Sequence, residues 1–233
     1  MYLPNESQSI LIIGKNGSGK SYAAVWHLAQ KPLGEFPWVI INHKREKLID
    51  SIPGAQFVDL DFTPKKPGVY VYHPLPDFDD DAVTALLWRI YQRENIGVYI
   101  DEGYMINPRD PALNALYTQG RSKHIPLITL SQRPSRISRF AISEAAFYQV
   151  FYLTDKNDRA RISEFIPGGI EEYMKGKPGE ARLMPDFHSI YYDVGRNEIA
   201  MMRPVPQEAD ILDIFEKKLK KPKRGVLHRL GFL

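Results

Sequence analysis

The chain has 233 residues, 43% hydrophobic and 25% charged, a balance that suits a soluble globular protein with a substantial core. It contains no cysteine, which excludes a disulfide framework and thiolate metal centres; residues 1–6 lack a signal-peptide pattern, and no apolar run approaches the roughly 18–20 residues of a membrane span. The net charge of +3 hides an asymmetry, because residues 217–233 carry seven Lys or Arg and no acid, leaving 24 basic against 28 acidic residues before them.

Taken in chain order, residues 9–13 form a short β-branched run, predicted as a strand, that ends in a glycine-rich turn; a helix is expected over 21–30. Strands follow at 38–41 and 69–72. The clearest amphipathic helix covers 79–94, with Val83, Leu86, Leu87, Ile90 and Tyr91 on one face and acids at its start. Strands at 98–100 and 127–130 flank a helix over 111–123, and a strand at 149–153 precedes a helix over 155–165. Strands alternating with helices predict an α/β fold with a mainly parallel sheet covered on both faces. After Pro167 the texture changes: short antiparallel strands are expected at 181–184, 189–194 and 198–202, then a helix over 207–220 and a basic tail. The expected organisation is a core over 1–166, an antiparallel extension over 167–204, and a C-terminal helix with its tail over 205–233.

Gly14, Lys15, Asn16, Gly17, Ser18, Gly19, Lys20 and Ser21 fit the pattern G-x-x-x-x-G-K-[ST] in full, with the strand before and helix after that the pattern requires. Glycines let successive backbone N–H groups turn inward and form an anion nest at a helix N-terminus. Lys20 would reach the β- and γ-phosphates of ATP, and the Ser21 hydroxyl would ligate Mg²⁺. The apolar strand Val98-Tyr99-Ile100 ends on Asp101 and Glu102, placing carboxylates where ligands bind in open α/β sheets. Asp101 suits a Mg²⁺ role, direct or through water, and Glu102 suits polarising the attacking water. Gln132, just past the strand at 127–130, suits a hydrogen bond to the γ-phosphate or the lytic water. The adjacent acids also argue against a switch-type GTPase. The fold expected is a P-loop NTPase sheet of the ASCE/RecA-like kind.

These elements resemble the FtsK/HerA superfamily of DNA-pumping ATPases. The resemblance covers roughly residues 8–165. Its discriminating part runs from Gly120-Arg121-Ser122-Lys123-His124-Ile125-Pro126 through the next strand to Ser131-Gln132-Arg133-Pro134-Ser135, where Ser131 replaces the usual threonine. Phe147 to Phe151, leading to Thr154-Asp155-Lys156-Asn157-Asp158-Arg159, is similar to the family's last core strand and following helix start. The short length, without accessory or membrane domains, looks most like the genome-packaging ATPases of tailless, membrane-containing viruses.

That resemblance implies an ATPase that moves double-stranded DNA through a homo-oligomeric ring, usually a hexamer, in the host cytoplasm or at a virion's packaging vertex. It implies ATP between subunits, with Arg121 supplied to the neighbour's site and Arg159 as second choice; Arg121 also reads as a solvated arginine near a helix C-terminus. Lys44, Arg45 and Arg109 are candidate DNA-phosphate contacts or plain surface charges. The tail could grip DNA, touch acidic lipid of the viral membrane, dock on a capsid vertex protein, or merely solubilise. Other readings are a single-stranded DNA morphogenesis ATPase like the Zot proteins, a small-molecule kinase, and a nucleotide-gated virion scaffold.

Overall fold

Apolar runs of four to six residues become strands covered on both faces. The computed structural model describes residues 2–174 and 184–219. In chain order these form β1 (Ile10–Ile13), α1 (Lys20–Gln30), β2 (Pro37–Asn42), α2 (Lys47–Asp50), β3 (Gln56–Phe57), β4 (Gly68–Tyr72), α3 (Asp80–Arg93), β5 (Gly97–Asp101) and α4 (Pro111–Gln119). They continue through β6 (Leu127–Ser131), α5 (Arg139–Ser143), β7 (Phe147–Val150), α6 (Lys156–Ser163), α7 (Glu171–Met174), β8 (Ser189–Asp193), β9 (Glu198–Met202) and α8 (Glu208–Leu219). The described strands make one sheet in the order β3-β4-β2-β5-β6-β1-β7-β8-β9. Along that order the pairings from β3 to β7 are parallel, whereas β8 pairs antiparallel with β7 and β9 antiparallel with β8. The two antiparallel strands therefore extend the core's own sheet.

Because side chains alternate across a strand, the central strands feed two cores. Ile10, Ile12, Trp38, Ile40 and Tyr99 pack on one face with α1 and with Ile211 and Phe215 of α8. Val39, Ile41, Val98 and Ile100 pack on the other face against Leu86, Leu87 and Ile90 of α3 and Leu113 of α4. Leu11, Ile13 and Val150 share that second face with Ile142 of α5 and Ile162 of α6. Removing the fully buried Trp38 side chain would cost about 3–5 kcal/mol.

Three sequence expectations shift. The helix expected over 111–123 ends at Gln119 and tightens into a 3-10 turn, Gly120–Lys123. There His124 adopts φ +51° and Ile125 N–H donates to the Gly120 carbonyl at 2.8 Å, turning the chain into β6. The strand expected over 149–153 is β7, Phe147–Val150. Its partner β1 ends at Ile13, so the next residues pair with the turn instead, Lys15 N–H donating to the Tyr152 carbonyl at 3.1 Å. Of the strand expected over 181–184, residues 181–183 lie outside the described residues and Met184 sits in a bend. Residues 220–233, with most of the basic tail, also lie outside them. No described helix is long and apolar enough to cross a membrane.

Candidate active site

The site is built where the parallel strands end. The turn after β1 is pinned at its base, Gly14 N–H donating to the Ser131 carbonyl at 3.2 Å. A Cβ at Gly14 would lie 2.4 Å from Ser18 Oγ and 2.6 Å from Phe151 Cβ, so only glycine fits. Gly19 takes φ +98° at the N-cap of α1, and neither a capping side chain nor a first-turn acid satisfies that helix start. Its free N–H groups and the helix dipole leave a ready anion site. Asn16, Gly17, Ser18, Gly19, Lys20 and Ser21 line a cavity of about 700 Å³. Gly14 lies beneath the turn, and Lys15 turns its ammonium toward the Tyr152 ring, 5.2 Å from the centroid.

Lys20 and Glu102 meet across this edge. Lys20 Nζ lies 2.9 Å from Glu102 Oε1, with Glu102 fully buried. Lys44 Nζ lies 2.5 Å from the same oxygen, and Gln132 N–H donates to Glu102 Oε2 at 3.1 Å. Burial alone would raise the Glu102 carboxyl, but the two ammonium groups overcome it and hold the pKa below the usual carboxylate range. The same pairing raises Lys44 despite its own burial. Glu102 itself has φ +55° and ψ +69°, a left-handed backbone that is costly for a side chain of this size.

Asp101 is 2% exposed at the end of β5, and its Oδ2 has no hydrogen-bond partner. Burial, reinforced by the adjacent Glu102 charge, pushes its pKa up to about 7. A buried, unpartnered carboxyl oxygen close enough to feel the Lys20 charge fits a hard cation. No described cluster of three or more His, Cys, Asp or Glu could hold a metal by itself, so Mg²⁺ here would depend on Ser21, Asp101 and the nucleotide's own oxygens.

The Gln132 side chain donates to the Tyr104 hydroxyl at 2.9 Å, while the buried Ser131 hydroxyl accepts from Arg133 N–H at 3.0 Å. Gln132, Asn16 and Lys15 also line a smaller cavity of about 180 Å³ on the other side of the turn. Lys20, Ser21, Asp101, Glu102 and Gln132 thus converge at one edge of the sheet. Arg121 does not join them. It precedes β6, which runs parallel to β1, so it lies at the opposite edge from the phosphate turn. It is exposed, and its guanidinium has no hydrogen bond or ion pair among the described residues. Arg159 is held in place instead, its Nε 3.0 Å from Glu171 Oε1 and its Nη1 2.8 Å from the Thr154 carbonyl.

Lys44, which the sequence offers as a DNA-phosphate contact or a plain surface charge, instead has its ammonium against Glu102 Oε1. Asn42 pairs with Asp101 in register, so β2 and β5 end level and the next residues of each meet. Arg45 and Arg109 remain exposed.

A parallel sheet with β6 inserted between β1 and β5, a glycine turn after β1 and an acid pair after β5 defines a P-loop nucleoside triphosphatase. No protein-family model matches the chain. It is 53% identical over 219 residues to the DNA packaging ATPase P9 of Enterobacteria phage PRD1, covering 94% of this chain and 96% of that relative. Among solved structures it resembles the genome packaging NTPase B204 of Sulfolobus turreted icosahedral virus 2 bound to AMPPCP, with TM-score 0.67, 21% identity, and 87% of this chain and 100% of that one covered. It also resembles the cytoplasmic domain of EssC, with TM-score 0.57, 16% identity, and 94% of this chain but 44% of that one covered. At such identities the two structures speak for the fold alone. The chain belongs to the DNA packaging ATPase family of the phage PRD1 protein.

Proposed function

We propose that this chain hydrolyses ATP at the Lys20–Glu102 site to drive double-stranded DNA into a preformed viral capsid, working as a ring, a hexamer by family likeness. The observation that carries the reading is one buried carboxylate, Glu102, held within 2.9 Å of the phosphate-turn lysine by a strand-end position. Triphosphate entering the nest offers Lys20 a stronger partner than Glu102, because two or three negative charges converge there. Lys20 then moves to the β- and γ-phosphates, and Lys44 remains to keep Glu102 ionised. Glu102 accepts the proton of the attacking water, and Gln132 beside it orients that water or reports the γ-phosphate. Bound between Ser21 and Asp101, Mg²⁺ would neutralise phosphate charge as it builds.

Arg121 lies too far from its own site to act there, which supports donation to a neighbour's site across a ring interface. Arg45 and Arg109 remain candidates for sequence-independent phosphate contacts in the ring's channel. The basic tail over 217–233 is our candidate for a contact with a capsid vertex protein or the viral membrane. Such a motor would work in the host cytoplasm or at the packaging vertex.

Steady-state hydrolysis, measured with and without double-stranded DNA, tests this reading. Double-stranded DNA should raise turnover more than single-stranded DNA does, and Glu102→Gln should lower it by about 100-fold or more. Equal stimulation by single strands would favour a morphogenesis ATPase, and DNA-independent phosphate transfer to a metabolite would favour a kinase.

A further inference from the structure

The cavity over the phosphate turn is larger than a triphosphate requires, at about 700 Å³. Beyond the turn its lining brings apolar groups, Phe151, Phe187, Pro204, Val205 and Pro206, beside the polar Arg203 and Glu208. Phe187 stands out among them. It lies in the tight turn before β8, where His188 N–H donates to the Pro185 carbonyl at 3.2 Å. Its backbone takes φ +59°, an uncommon conformation for a bulky side chain. The ring lies against the start of α1, its Cδ1 3.3 Å from where a Cβ on Gly19 would sit. Even so, Phe187 is 56% exposed. An aromatic ring held in a strained turn beside the phosphate nest, open to a cavity with an apolar flank at Pro204, Val205 and Pro206, suits a flat heteroaromatic ligand.

We infer that Phe187 is the stacking platform for the nucleobase of the bound triphosphate, with Pro204, Val205 and Pro206 lining the same base subsite; this rests on the nucleotide reading of the phosphate turn. Two anchors hold the subsite in place. β8 is hydrogen-bonded to β7, whose next residue is Phe151. The residue after Gln207, Glu208, accepts from the Tyr22 hydroxyl of α1 at 3.0 Å, so the stretch from Pro204 is tied to the helix that carries Lys20. The triphosphate and its base would thus be gripped by opposite ends of the chain. A purine offers more stacking area than a pyrimidine, so purine triphosphates should bind more tightly.

The test compares Mg·ATP with Mg·tripolyphosphate, which has the phosphates and no base, by titration calorimetry on the full chain. Phe187→Ala should weaken ATP binding roughly tenfold and leave tripolyphosphate binding at its wild-type strength. Phe187→Trp should restore ATP affinity, with indole fluorescence that changes on adding ATP and stays constant with tripolyphosphate. An equal loss for both ligands in Phe187→Ala would mean the ring only shapes the turn, and unchanged ATP binding would remove it from the subsite. Either result overturns the inference. Lys20→Ala separates the two layers, because it should weaken both ligands; if wild type bound neither, the nucleotide reading and this inference would fall together.

Discussion

Glu102 carries two lysines on one oxygen and a backbone N–H on the other. In that arrangement its charge is neutralised and both lone pairs of Oε1 are engaged, so Oε1 is poorly placed to take a proton from water. Only when Lys20 leaves for phosphate does Oε1 become available. Glu102→Gln should therefore bind ATP with wild-type or greater strength while turnover collapses, a split that binding and rate measurements on one preparation would reveal. Lys44 touches Glu102 and no reacting atom in this picture, which makes it a positioning residue. Lys44→Ala should lower kcat by roughly tenfold with little change in KM for ATP. If KM rose instead with kcat intact, Lys44 would belong to the nucleotide and not to Glu102.

At the scale of elements, α1 is tied beneath the site as well as above it. His27, fully buried on α1, lies 2.8 Å from Gln149 Oε1 of β7, whose amide donates to Ser189 Oγ of β8 at 2.9 Å. Burial pushes the His27 pKa down to about 4. Unfolded, the ring takes up its proton near pH 6.5; folded, it resists until about pH 4. The unfolded state thus binds more protons between these values, and stability falls as pH drops from 6.5 to 4, by about 3 kcal/mol in all. Urea unfolding across that range should have a shallower pH slope in His27→Gln than in wild type. An unchanged slope would assign the acid sensitivity elsewhere.

These elements also mark what the sequence can and cannot disclose. The phosphate turn is legible because a β-branched run, glycines at fixed offsets and a lysine must follow one another in the chain. Asp101 and Glu102 are legible because they end an apolar strand. Strand order is not, because no local pattern says that β2 lies beside β5, and so Lys44 reads as a surface charge. Phe187 is equally hidden: its importance comes from β8 pairing with β7, an antiparallel contact between segments far from the phosphate turn in sequence. Short pieces such as α2, α5 and β3 have too few residues to express a period.

At the scale of the whole molecule, Lys20, Glu102 and Gln132 gather at one edge of the sheet. Arg121 precedes β6 at the opposite edge of the sheet, away from its own phosphate turn, which is why we propose it for a neighbour's site. Arg121→Ala and Glu102→Gln subunits should each be nearly inactive alone. Mixed, they should recover part of the hydrolysis, because a site with intact Glu102 then meets a neighbour with intact Arg121. No recovery at any ratio, with ring assembly verified for both variants, would remove Arg121 from that role.

Coupling of hydrolysis to DNA movement is tested most directly by displacement of a triplex-forming strand from linear double-stranded DNA. The wild-type protein should strip that strand with Mg·ATP, fail with a non-hydrolysable analogue, and fail as Glu102→Gln. Brisk DNA-stimulated hydrolysis with the third strand left in place would contradict a motor that pumps double-stranded DNA.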